Sequence, residues 1–147
     1  MQNVLISFAT KHDNLFLIEN TQLSHKTLNQ KLLNNEILVA KSDRKSIGLL
    51  ILDFLWNHIP FISFIWVDEK YRRLGVGKVL LIFLENYLIE NNNEQLISSS
   101  MENAKDARAW HQHMGFKVCG TIAEINDDNT GEVFFKKSLK RNIQSIT

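Results

Sequence analysis

The stretch YRRLGVGKVLL, residues 71–81, governs how the rest of the chain is read. Arg72 and Arg73 precede Gly75 and Gly77, and an apolar run starts at once behind them. The two glycines let the backbone approach a ligand closely and take positive φ where needed. The first N–H groups of a helix beginning here lack a carbonyl partner within the helix. Their dipole favours an anion, and Arg72, Arg73 and Lys78 add positive charge beside it. A diphosphate fits such a loop. So does a plainer reading, a tight strand-to-helix turn with solvated arginines.

Spacing removes two phosphate-binding alternatives. A Walker A loop needs a glycine five residues before its Gly-Lys pair and Ser or Thr after it. Those positions hold Arg72 and Val79. A dinucleotide fingerprint needs a third glycine where this chain has Leu80. P-loop hydrolase and Rossmann oxidoreductase are both excluded, and a nucleotide-binding regulator is disfavoured on the same ground.

Working outward, the loop opens a helix from Gly75 to about Asn91. Val76, Val79, Leu80, Phe83, Leu84, Tyr87 and Leu88 fall on one stripe of it. FISFIWV (61–67) before the loop and LISSSM (96–101) after the helix read as strands, making a parallel crossover expected to be right-handed. Upstream, VLISFA (4–9) reads as a strand, and Lys11–Thr21 and Ser24–Asn34 as helices, the second capped by Ser24. Strands at 36–42 and 47–56 and the strand at 61–67, joined by short turns, suggest a meander. A short helix at 104–114 ends at Gly115. KVCGTIAEI and EVFFKKSL, joined by DDNTG, form a last hairpin. The fold class is α/β: a mixed, mainly antiparallel sheet of about six or seven strands and about four helices, with one parallel crossover. One domain over residues 1–147 is expected, with a core at 4–139 and a short tail at 140–147.

Composition narrows the function. Lys plus Arg is 17 and Asp plus Glu is 16, a formal net charge of +1. That balance argues against a general nucleic-acid or membrane binder, so basic character must act locally. Cys119 is the single cysteine, which rules out an internal disulfide and suits a reducing compartment. The N-terminal residues lack a signal-peptide pattern, and no apolar segment is long enough to span a bilayer. A cytoplasmic location is the expectation. His12, His25 and His58 show no zinc spacing, and His111 and His113 do not share a helix face, so no metal is expected. Cys119 reads as a small buried hydrophobe, and Trp56 and Trp66 as core or sheet-face residues rather than an aromatic cage, although Trp56, at a strand end, could border a ligand site.

VDEKYRRLGVGKVLL (67–81) resembles the signature of the GNAT superfamily of acyl-CoA-dependent N-acyltransferases: Gln or Arg, two variable residues, Gly, one variable residue, then Gly or Ala. Arg72, Gly75 and Gly77 fill that pattern. ENAKDARAWHQHMGFKVCG is similar to the family's second region, with Asn103, Ala107, Trp110, Gly115 and Phe116 matching. The order of elements agrees from about residue 4 to 139.

The resemblance implies that the phosphate compound is coenzyme A, normally acetyl-CoA, as cosubstrate. Its diphosphate would lie on the amides around Arg73, Leu74, Gly75, Val76, Gly77 and Lys78. Asn103, Ala107 and Trp110 would be further cofactor contacts. Its pantetheine arm would pair with Ile65, Trp66 and Val67 in a splayed gap beside LISSSM.

It also implies direct attack of an amine on the thioester in a ternary complex, with the backbone N–H near Val67 as oxyanion donor. The family's usual acid is a tyrosine, and His111 stands in its place. Imidazolium can protonate a thiolate, so His111 is a candidate general acid; the alternative is a cofactor-contacting surface histidine without a proton role. Many relatives carry a glutamate early in the strand before the loop, where this chain has Phe61. Asp53 and Glu132 are the remaining base candidates, beside loss of the proton to water.

The acceptor, a small-molecule amine or a peptide or protein amine, has no diagnostic motif, although Asp53, Asp127, Asp128 and Glu132 could attract a cation. A homodimer through a sheet edge is compatible with the pattern. The rival to an N-acetyltransferase is a non-catalytic acyl-CoA-binding module of the same fold.

Overall fold

A computed structural model describes residues 3–140. The expected tail beyond residue 140 lies outside them. Along the chain run β1 (Val4–Phe8), α1 (Asn14–Asn20), α2 (His25–Leu33), β2 (Ile37–Ser42), β3 (Lys45–Leu55), β4 (Ile59–Val67), α3 (Val76–Glu90), β5 (Gln95–Met101), α4 (Lys105–His113), β6 (Lys117–Ile122) and β7 (Glu132–Ser138). The seven strands form one sheet in the order β1-β2-β3-β4-β5-β7-β6. β1 pairs antiparallel with β2, β2 with β3, and β7 with both β5 and β6. β4 and β5 pair in parallel through Phe61↔Ile97 and Ile62↔Ser98. The expected mixed sheet with one parallel step is the observed one.

The described chain forms two compact units. The first takes in residues up to Asp53 and Phe64–Phe83; the second takes in Phe54–Ser63 and residues from Leu84 onward.

In the first unit Leu17, Leu28, Ile37, Val39, Leu49 and Ile51 form a buried cluster, with Phe16, Leu23, Leu32 and Trp66 packed against it. Full burial of each leucine is worth roughly 2 kcal/mol relative to exposure. Ser24 caps α2 as expected, its Oγ accepting from the Thr27 amide at 3.2 Å. The single helix expected over 11–21 is broken. Lys11–Asp13 is a 3-10 turn, in which Asp13 turns back to accept from the Thr10 amide at 2.8 Å. The β2–β3 hairpin turns through Asp43 and Arg44, both at positive φ, the turn that matches strand twist.

Gly48 on β3 lets the end of β4 and the start of α3 come close. A Cβ there would lie 3.1 Å from the Trp66 carbonyl oxygen and 3.4 Å from Val76 Cγ1. Gly48→Val is expected to cost about 2 kcal/mol, read from the urea midpoint; an unchanged midpoint would mean that backbone is free to give way.

In the second unit Leu84, Leu88, Leu96, Phe116, Val133, Phe135 and Leu139 are buried. Three expectations need correction here. Cys119 is exposed, not buried, because all of β6 is exposed and the strand's register shifts at Cys119, between Val118 and Gly120. Trp56 is 78% exposed, because with Asn57 it forms the positive-φ tip of the β3–β4 turn. The last hairpin is joined by residues 123–131 rather than DDNTG alone, since β6 stops at Ile122 and Asn126 closes a turn onto Thr130.

Candidate active site

In the first unit, Ile65, Trp66 and Val67 end β4, and residues 68–75 lead into α3. Arg72 folds back, its Nε donating to the Val67 carbonyl at 2.9 Å, which ties the loop to the strand end. Asp68 steadies the turn by accepting from the Lys70 amide at 3.0 Å. Arg73 and Gly75 stand at φ 65° and 85°. A Cβ at Gly75 would meet nothing within 4 Å, so its Cα faces open space. Val79 makes the first bond of α3, to the Gly75 carbonyl at 3.0 Å. The amides of Val76, Gly77 and Lys78 therefore precede the helical ladder and aim along its positive end. Arg72, Arg73, Leu74, Gly75 and Lys78 are exposed. This is a cradle for an anion, with main-chain donors at the centre and exposed positive side chains around it.

Asp53 also belongs to the first unit. Its carboxylate lies 2.6 Å from Lys31 Nζ, which further donates to the Leu52 carbonyl at 2.9 Å and sits 3.4 Å from Glu36. Lys31 is buried. A proton taken up by Asp53 would strip that buried ammonium of its nearest counter-charge, so the geometry gives Asp53 a structural task. Lys31 went unnoticed in the sequence, yet it stands three residues after the buried Leu28, on the inward stripe of α2.

In the second unit His111 points inward. It is 3% exposed, lies parallel to the Phe135 ring at 4.4 Å, and meets Trp110 and Phe116 edge-on. Nδ1 is 2.7 Å from the Ala107 carbonyl, and Nε2 is 2.7 Å from Ser98 Oγ. A carbonyl only accepts, so Nδ1 carries the proton and Nε2 accepts from the serine hydroxyl. Burial holds the imidazole below the usual histidine value, against the opposing pull of the Ala107 carbonyl and the Glu132 charge. This corrects the surface-histidine alternative, and it gives the acid reading a ring that is neutral and engaged at both nitrogens.

The lowered value has a consequence for stability. The folded ring resists a proton that the unfolded chain accepts near pH 6.5, so stability is full above that pH and lost as pH falls below it. The urea midpoint should fall as the pH drops below 6.5, with His111 contributing at most about 1.4 kcal/mol per pH unit. In His111→Gln the slope should flatten; an equal slope in both proteins would assign the effect to other groups.

Asn103 is exposed in the turn before α4, while Ala107 and Trp110 are half-buried on that helix. Glu132 opens β7. Its Oε2 accepts from Ser99 Oγ at 2.7 Å and its Oε1 from Asn126 Nδ2 at 3.2 Å. Ser98, Ser99 and Asn126 were not picked out from the sequence. Among the described residues no three His, Cys, Asp or Glu side chains converge as metal ligands, and no helix is long and apolar enough to cross a membrane.

The sequence profile described as the Acetyltransferase (GNAT) family matches residues 7–116. No curated protein matches the chain in sequence. Among solved structures, Ard1 from Thermoplasma volcanium superposes with a TM-score of 0.84 at 14% identity, over 94% of this chain and 99% of that one. The ribosomal-protein-S18-alanine N-acetyltransferase from Escherichia coli gives 0.77 at 16% identity, over 99% of each chain. A GNAT family acetyltransferase from Elizabethkingia anophelis, with acetyl-CoA bound, gives 0.77 at 20% identity, over 95% of this chain and 100% of that one. At these identities the likeness is one of fold.

Proposed function

Since the chain belongs to the acetyltransferase (GNAT) family, we propose that it moves an acetyl group from acetyl-CoA to a primary amine by direct attack. The observation that carries this reading is the cradle at the start of α3. Unbonded first-turn amides, a glycine with open space where a side chain would stand, and the charges of Arg72, Arg73 and Lys78 suit a diphosphate. We read residues 1–147 as one acetyltransferase domain, a span most of which the family profile covers.

The amine nitrogen attacks the thioester carbonyl, a C–N bond forms, and the C–S bond breaks as the thiolate leaves. The Val67 N–H is the donor we assign to the oxygen that gains charge. The amine must first lose a proton. Asp53 is engaged with Lys31 and Glu132 with Ser99 and Asn126, so we assign that proton to water rather than to a side chain. His111, held between Ala107 and Ser98, positions β5 and α4 rather than protonating the thiolate, which takes its proton from solvent.

The same enclosure of His111 favours the second reading, an acyl-CoA-binding module without turnover. One assay separates them: CoA release from acetyl-CoA, followed with a thiol reagent, across a panel of amines and peptides. Amine-dependent release supports the transferase; tight acetyl-CoA binding with no release from any amine supports the module.

A further inference from the structure

The two edges of the sheet are finished differently. A strand edge offers unpaired N–H and C=O groups to any other strand, and folded proteins guard it with charge, proline or a bulge. β6, at one end of the strand order, carries exposed Lys117 and a register shift between Val118 and Gly120. β1, at the other end, reads VLISF: it has no charge, no proline and an unbroken register with β2.

Among the described residues no strand pairs with the outer side of β1. The Ala9 amide donates to the Ile37 carbonyl at 2.8 Å. By alternation the main-chain groups of Leu5 and Ser7 face β2, and those of Val4 and Ile6 face away. Ser7 is in register with Val39, which is buried in one cluster with Leu17 of α1 and Leu28 of α2. Leu5 and Ser7 therefore lie on the side of the sheet that those helices cover. Leu5 is nevertheless 72% exposed, and Leu15 and Ile18 of α1 turn outward in the same unit, at 70% and 44%. Three large aliphatic side chains thus meet water on the side of an unguarded edge.

We propose that β1 pairs with β1 of a second copy of this chain, antiparallel and about a two-fold axis at Ile6. The strand is uncharged, so two copies do not repel, and Leu5 of each falls opposite Ser7 of the other. Both copies of Leu5 lose water together. The choice of a second copy over a foreign peptide follows from the length of the edge. An extended peptide would lose chain entropy on ordering, against the few bonds that a five-residue strand offers. A second copy brings a strand that is already formed.

Sedimentation equilibrium of the full chain over a range of concentrations provides the test, and acetyl transfer enters none of its readouts. The wild type should move from 17.1 kDa toward twice that mass as concentration rises. Leu5→Lys sets two like charges across the axis from an exposed position, and should weaken dimerisation by at least about tenfold. Ile6→Pro deletes an outward N–H and no bond to β2, and should do the same. Val118→Lys on β6 is the control and should leave the dimer intact. A wild type that stays at 17.1 kDa overturns the proposal and leaves the edge to a foreign strand. So does a dimer that survives both β1 substitutions, or one that Val118→Lys weakens as much. Should both β1 variants fail to fold, amide exchange in the wild type decides: protection of Ile6 that grows with concentration supports the pairing, and a constant rate rejects it.

Discussion

Gly75→Val is expected to raise the KM for acetyl-CoA by about a hundredfold while leaving a folded protein. The two effects separate because of where Gly75 stands. Its φ of 85° is a conformation that a β-branched residue resists at about 1–2 kcal/mol, an amount a domain of this size can absorb. The added side chain meets no protein atom near its Cβ, so it does not overpack the core. It would instead stand in open space at the start of α3, next in the chain to the amides of Val76, Gly77 and Lys78, where the diphosphate is assigned. Losing two charge-assisted hydrogen bonds there accounts for the hundredfold. Gly120→Ala is the matched control, since Gly120 also has open space at its Cβ but lies on the exposed β6. A KM within threefold of wild type in Gly75→Val, with the control unchanged, would move the cosubstrate away from this loop.

Phe135→Ala should bring the largest loss of stability, about 4 kcal/mol. Phe135 is fully buried on β7, paired with Ser98 of β5 and Val118 of β6. Truncation loses the transfer energy of the ring and leaves a cavity that a hydrogen-bonded sheet closes poorly. It also takes away the surface on which the His111 ring lies flat. Urea unfolding measures the loss, and Phe135→Leu, which refills most of the volume, should recover at least half of it. A loss under about 2 kcal/mol for the alanine variant would show that α4 collapses onto the sheet and fills the space.

These two positions differ in how well they can be read from sequence. Gly75 was legible because its requirement is local: two glycines, adjacent charge and an apolar stripe fix a loop and a helix within a short span. The observed α3 begins at Val76, and Val76, Leu80, Leu84 and Leu88 are buried as the stripe requires. The parallel step was legible because a strand, a loop and a long helix leave few other routes back to the sheet.

The orientation of His111 was not legible. Ser98 and Phe135, which draw it inward, lie 13 and 24 residues away, and nothing in the triplet of serines marks one of them as its partner. Lys31 and Asp53 are likewise joined across 22 residues. Cys119 misled because an apolar neighbourhood in sequence resembles a core strand, whereas β6 lies at the end of the strand order and is exposed throughout. Glu132 was found only as a carboxylate near a turn; its neutral supports, Ser99 and Asn126, become visible once β5 and β7 are in register.

The edge-on contact of Trp110 with the His111 ring, 5.1 Å between centroids, gives the molecule an optical reporter. Indole emission is dimmed by a cationic neighbour, so acidification should darken Trp110 while the ring flat against Phe135 gains charge. Trp56, standing in solvent at its hairpin tip, can be silenced separately by a dissolved collisional quencher such as iodide.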